Sequence, residues 1–168
     1  QNGSSLQKYR FDIKIARIIK HKELVMEELL NKLLADFTVE YHKLQNFHWY
    51  VTGRDFFTVH PQLEAYYDGM KNGIDEVAEN ILMLGGKPIA SLKDCLALAG
   101  IKEAAAKSIS SAEIFKAILE DFAYLLKSVT DIKKEADKDG VYLISALMDD
   151  YIKNFSKSVW MLKAASCC

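Results

Sequence analysis

The chain has 168 residues, half of them apolar and 27% charged, with twenty-two Lys and Arg against twenty-three Asp and Glu. That length suits one domain with a full hydrophobic core, and the composition excludes a disordered chain. A formal charge of -1 names no partner, and no apolar run nears the roughly 20 residues of a membrane span.

Residues 1–5, QNGSS, lack an initiating Met and read as a processing or cloning remnant; no charged-then-apolar signal segment follows. Residues 1–22 form an N-terminal extension ahead of a bundle domain over 23–168. The extension carries Lys8, Arg10, Lys14, Arg17, Lys20 and Lys22 against one acid, Asp12, a density of positive charge that suits phosphate contacts. Phe11, Ile13, Ile15, Ile18 and Ile19 are interleaved with them. That mixture favours an ordered segment packing its apolar residues on the rest of the protein over a disordered basic arm that binds DNA.

Two prolines and eight glycines punctuate the chain, which favours long helices. The periodicity predicts a first helix over about 23–52, with Met26, Leu30, Leu33, Phe37, Tyr41 and Leu44 on one stripe and His48 next in phase. The run FHWYV has strand propensity by itself, but the stripe enters it without a break; Gly53 supplies a stop. A second helix is predicted over about 59–84, with Thr58 as N-cap, Pro61 in the first turn, and Gly85, Gly86 and Pro88 ending it. A connector of about 25 residues follows, with a short helix near 91–97. Ser110 and Glu113 form a capping box for a third long helix over about 111–137. After Asp139-Gly140 a fourth runs over about 141–165, its stripe Ile144, Leu147, Tyr151, Phe155, Val159 and Leu162. Short loops within the pairs and a long one between them describe an all-α four-helix bundle with one long crossover connection and a short helix in it.

Three cysteines, Cys95, Cys167 and Cys168, do not make a disulfide framework. They suit free thiols in a reducing, cytoplasmic setting, the alternative being a terminal pair that binds metal or links chains.

The chemistry gathers on the second helix. With His60 at zero on a helical wheel, Glu64 falls at about 40°, Asp75 at about 60°, Asp68 at about 80° and Glu79 at about 100°. One arc therefore holds an imidazole and four carboxylates, with Lys71 at about 20° to offset them in part. Each residue alone has an ordinary explanation, a core histidine or a solvated acid. Together, acids this dense repel one another if buried without a cation. His60 and Asp75 lie fifteen residues apart on one rod, about 22 Å, whereas ligands of one transition metal lie about 2 Å from it. Two copies of this helix crossing antiparallel on a twofold axis remove the conflict: the axis passes near Tyr67 and Asp68, and His60 of one chain meets Asp75 and Glu79 of the other. The reversal at Gly53 brings His48 beside His60. Two imidazoles and two carboxylates without thiolate suit Fe(II), Zn(II), Mn(II) or Co(II), and an incomplete, exchangeable shell suits redox iron better than structural zinc. Glu64, one turn from His60, either holds a second ion or relays iron, or is a charged interface residue.

Asn46, His48, Trp49, Val51, Gly53, Phe56 and His60, followed by Asp75 and Glu79, spell N-x-H-W-x-V-x-G-x-x-F-x-x-x-H and then D-x-x-x-E. This resembles the ferroxidase signature of the Dps-like miniferritins, of the ferritin-like superfamily. LGGKP at 84–88 and VWMLKA at 159–164 are similar to the same family, and the likeness spans about residues 24–165. The resemblance implies a ferritin-like bundle assembled as a hollow dodecamer that oxidises Fe(II), usually with hydrogen peroxide, and stores the ferric product. Carried over, it implies His48 and His60 from one subunit and Asp75 and Glu79 from its mate as metal ligands, with Glu64 completing the site. It also implies Trp49 as a redox aromatic, against an interface-packing role, and acids near the start of the last helix as pore candidates: Asp139, Asp149 and Asp150, near Val141, Leu143 and Ala146. Zn(II) is the expected substitute metal. Two other readings stay open: a DNA-compacting shell, and a non-catalytic bundle that buffers metal.

Overall fold

The computed structural model describes residues 2–166. It contains α1 (Asn2–Tyr50), β1 (Val51–Thr52), α2 (Phe56–Met83), α3 (Leu92–Leu98), β2 (Ile109–Ser110), α4 (Ser111–Asp139) and α5 (Tyr142–Ala165). The fold is the expected all-α bundle: α1 and α2 form one antiparallel pair, α4 and α5 the other, and the crossover carries α3. Cys167 and Cys168, and the roles considered for them, lie outside the described residues; Cys95 is buried and free. Among the described residues no helix is long and apolar enough to cross a membrane.

The predicted stripes make the core. Met26, Leu30, Leu33, Phe37 and Leu44 of α1 are buried, as are Ile144, Phe155, Val159 and Leu162 of α5. Phe37 sits at the centre, edge-on to Tyr151 at 5.2 Å and tilted against Phe155 at 6.0 Å. Phe122 closes the cluster from α4, 5.4 Å from Phe155. Such edge-on contacts add to the apolar burial that drives assembly. The Ser110–Glu113 capping box forms as expected, and Gly140 ends α4 in the left-handed conformation at φ 74°.

Three boundaries differ from expectation. α1 does not start at 23 but runs from Asn2, so the extension and the bundle share one helix. It passes the α4–α5 turn where Lys22 pairs with Asp139 at 2.7 Å. Lys14, Arg17, Ile19 and Lys20 are exposed there. At its other end α1 stops at Tyr50, not 52: Val51 and Thr52, both β-branched, pair in parallel with Ile109 and Ser110. The start of α2 also moves. Its N-cap is Asp55 rather than Thr58, so Pro61 lies inside the helix instead of in its first turn. The ring is accommodated on the exposed side.

Two acids missed by periodicity are fully buried on α1. Asp36 accepts hydrogen bonds from the amides of Gly100 (2.6 Å) and Ile101 (3.1 Å), the Tyr124 hydroxyl (2.8 Å) and Lys32 Nζ (2.8 Å). It thereby ties the crossover to α1 and α4. Glu40 is different: neither of its oxygens accepts a hydrogen bond from an N–H or hydroxyl group. Burial first, then the neighbouring Asp121 carboxylate, push its pKa well above the usual 4.5, against the opposing pull of Lys43, which is itself ion-paired with Asp121. Burial and the Asp121 carboxylate thus both favour the neutral form of Glu40 over its ion.

The two acids have opposite consequences. Asp36→Ala removes a satisfied buried charge and is expected to cost about 3 kcal/mol or more in urea unfolding, with faster hydrogen exchange at the Gly100 and Ile101 amides. Glu40→Leu removes an unsatisfied group and should stabilise by about 1–3 kcal/mol. The pH dependence follows from the raised pKa. The unfolded chain releases the Glu40 proton above pH 4.5 while the folded chain keeps it, so this contribution to stability is complete below that pH and declines as pH rises toward the folded value. Melting temperatures recorded across this window should fall less steeply in Glu40→Leu than in the wild type.

Candidate metal centre

The turn between α1 and α2 positions two histidines. Val51 and Thr52 leave the helix for the β1–β2 pairing, and Gly53 then takes φ 124°, a conformation closed to side-chain-bearing residues. Phe56 N–H donates to the Gly53 carbonyl at 3.3 Å and Val59 N–H to that of Asp55 at 2.9 Å, so α2 begins at once. The reversal brings His48, at the end of α1, face to face with His60, in the second turn of α2. Their ring centroids are 3.6 Å apart at 21°.

Each ring is fixed by the other's backbone. His48 Nδ1 donates to the His60 carbonyl and His60 Nδ1 to the His48 carbonyl, both at 2.8 Å. A carbonyl only accepts, so both Nδ1 atoms carry protons, and in the neutral rings both lone pairs are at Nε2. That is the tautomer and the orientation a metal-ligating imidazole requires. Phe56 stacks on His60 at 4.8 Å, and Tyr67 stands edge-on to His48 at 5.4 Å. His48 is buried and His60 half-buried.

The acids of α2 do not join them within one chain. Glu64, Asp68, Asp75 and Glu79 are all exposed on a helix that continues unbroken to Met83. Among the described residues no group of three or more His, Cys, Asp or Glu side chains gathers closely enough to hold a metal ion. The single chain therefore offers two stacked imidazoles whose Nε2 lone pairs are free, and separately a row of exposed carboxylates further down the same rod.

The remaining candidates are dispersed. Trp49 is 59% exposed and meets His42, edge-on at 6.2 Å. The Asp139 side chain is turned inward onto Lys22, and Asp149 pairs with Lys133 at 3.0 Å; Asp150 is exposed. Tyr67 was legible only as a position near the twofold axis, yet it lies seven residues after His60, about 20° from it on the α2 wheel. Its phenol pKa is raised by burial, then by the neighbouring Glu64 and Asp68 carboxylates.

Known proteins resemble this chain over most of its length. The ferritin family profile, described as a ferritin-like domain, matches residues 27–165. A DNA protection during starvation protein of Helicobacter pylori is 39% identical over 137 residues, covering 82% of this chain and 95% of the relative. General stress protein 20U of Bacillus subtilis is 37% identical over 137 residues, with 82% and 94% covered. Among solved structures, antigen TpF1 from Treponema pallidum superposes with a TM-score of 0.86 at 32% identity, covering 88% of this chain and 95% of that one. A Dps protein from Bacillus brevis gives 0.83 at 36% identity, with 86% and 96% covered.

The geometry makes Gly53 the residue on which the imidazole pair depends. Gly53→Ala is expected to destabilise the protein by about 1–3 kcal/mol. It should also speed solvent exchange of the two Nδ1 protons, read by NMR, because the reciprocal hydrogen bonds need this turn.

Proposed function

Because the chain belongs to the ferritin-like superfamily, and within it to the Dps-like miniferritins, we propose that it oxidises Fe(II) at sites shared between subunits and stores the ferric product. Iron is the substrate here. His48 and His60 hold it through Nε2, and Asp75 and Glu79 of a mate complete the shell, with Glu64 beside them. The observation that carries this reading is the reciprocal pair of Nδ1–carbonyl hydrogen bonds, which leaves both imidazole Nε2 lone pairs free, while among the described residues no third potential ligand gathers with the two rings. A solved Dps protein from Vibrio cholerae O1 is described as a member of a broad superfamily of ferritin-like diiron-carboxylate proteins, and it superposes at a TM-score of 0.82 with 36% identity. The donor set of nitrogen and oxygen ligands fits the same chemistry here.

Hydrogen peroxide is the oxidant. Two Fe(II) ions at one site supply both electrons of its reduction, so the O–O bond breaks to water without releasing hydroxyl radical, and the protein thereby limits oxidative damage. The exposed apolar residues near the turn and crossover, among them Trp49, Phe57, Leu92 and Leu96, support association into the dodecameric shell of the family. A Listeria innocua Dps was solved after zinc soaking, which supports Zn(II) as a competing ion. DNA contact through Lys14, Arg17 and Lys20 is secondary: these residues are exposed on α1, while Lys22 is engaged with Asp139.

Anaerobic Fe(II) followed by peroxide should give rapid ferric absorbance that disappears in His48→Ala and in Asp75→Ala. Co-assembly of those two variants makes the sharper test. A site built from two chains is intact wherever the histidine donor carries only Asp75→Ala and its mate only His48→Ala, so random mixing should restore about a quarter of wild-type sites. No recovery in mixed particles of normal size would overturn the shared site, and iron that oxidises no faster than in buffer would leave the metal-buffering reading.

A further inference from the structure

The reaction proposed above balances only when two iron ions are present. A site holding one Fe(II) gives peroxide one electron, and the unpaired product is a hydroxyl radical unless another donor is in contact. The surroundings of the imidazole pair therefore matter for the half-filled site, and they contain an oxidisable side chain outside the ligand set.

That side chain is Tyr67. Its ring stands edge-on to His48, 5.4 Å between centroids at 88°. It projects from α2 on the same face as His60 and Glu64, about 20° from the first of them, and Glu64, three residues before it, is its neighbour on that face. A second phenol, Tyr41, is one ring further away, edge-on to Tyr67 at 6.0 Å and accepting a hydrogen bond from Gln45 Nε2 at 3.0 Å. Trp49 is placed differently. Although adjacent to His48 in sequence, it points outward, with its ring against His42.

We propose that Tyr67, rather than Trp49, is the protein's own electron donor at the half-filled iron site, taking the second oxidising equivalent of peroxide as a tyrosyl radical. The step balances. The O–O bond of hydrogen peroxide breaks; Fe(II) supplies one electron and becomes Fe(III); the phenol supplies the other and becomes a phenoxyl radical. The phenolic proton, relayed by Glu64, and one proton from solvent complete two water molecules. The inference rests on the imidazole pair being the iron site.

The test uses the assembled protein loaded anaerobically with one Fe(II) per site, then peroxide, freezing and electron paramagnetic resonance. A tyrosyl signal is expected, narrowed when the protein is made with ring-deuterated tyrosine, lost in Tyr67→Phe and kept in Trp49→Phe. Spin-trapped hydroxyl radical should rise in Tyr67→Phe alone. Phenylalanine keeps the ring against His48, so Co(II) bound at the site should show an unchanged visible spectrum in that variant. An altered spectrum would assign Tyr67 a positioning role and overturn the proposal. A tyrosyl signal that survives Tyr67→Phe, or a radical that vanishes in Trp49→Phe, overturns it as well. Iron that never reacts with peroxide in the wild type sinks this inference together with the function it rests on, whereas normal oxidation of fully loaded sites with the radical elsewhere sinks this inference alone.

Discussion

Two hydrogen bonds of 2.8 Å, each from an imidazole Nδ1 to the backbone of the opposite histidine, organise the chemistry of this chain. They fix both rings in one tautomer, stack them, and turn both Nε2 lone pairs away from the backbone. Side-chain partners are not needed for this. The carbonyls belong to the helix end and the helix start that the Gly53 turn brings together, so the orientation of the donors is inherited from the backbone. Mutation of neighbouring side chains cannot easily disturb it, and distortion of the turn must.

The second constraint is the stiffness of α2. A helix of 28 residues without a break keeps His60 and Asp75 apart however the side chains rotate. The separation of His60 from Asp75 and Glu79 follows from this rod, as does the row of exposed carboxylates, which among the described residues makes no ion pair. If a neighbouring copy supplies what each half lacks, as proposed, assembly and iron binding become one equilibrium: whatever loosens the contact between chains also lowers affinity for the ion.

Much of this was legible in the sequence because it depends on periodicity. The stripe from Met26 to His48 and the stripe from Ile144 to Leu162 each predict a buried face, and the fold obeys them. The phase of His60 against Asp75 and Glu79 likewise needs only a helix and its rise. What escaped has a common cause, since it is decided by partners distant in sequence. Asp36 and Glu40, four residues apart on α1, lie off the apolar stripe, and periodicity does not single them out; they are buried because the crossover and α4 cover that side of the helix. Val51 and Thr52 continue the helical pattern, yet pairing with Ile109 and Ser110 draws them into a strand. Thr58 and Pro61 make a plausible helix start, but Gly53 lets the chain turn sooner and α2 begins at Phe56. Tyr67 belongs to an aromatic cluster whose other members lie on α1, so spacing along α2 alone could not single it out.

The long crossover has a larger part in the site than its lack of regular structure suggests. It runs alongside α1 and is fastened to it at successive levels: Asp36 accepts from Gly100 and Ile101, Asn46 Nδ2 donates to the Ala104 carbonyl at 3.3 Å, and Val51 pairs with Ile109. From Asp36 to Val51 is about 22 Å of helix, well within the roughly 30 Å that nine residues could span if fully extended. The connector runs along the helix as a brace. Its last fastening is the short β pairing that ends α1, and the capping box of α4 follows immediately. The end of α1 is held against the start of the second helical pair, and the Gly53 turn has a fixed base from which to reverse. The imidazole pair is then anchored at both ends, by α2 on one side and by the brace on the other. A buried carboxylate twelve residues before His48 thus supports the imidazole pair mechanically, from about 18 Å away along the helix.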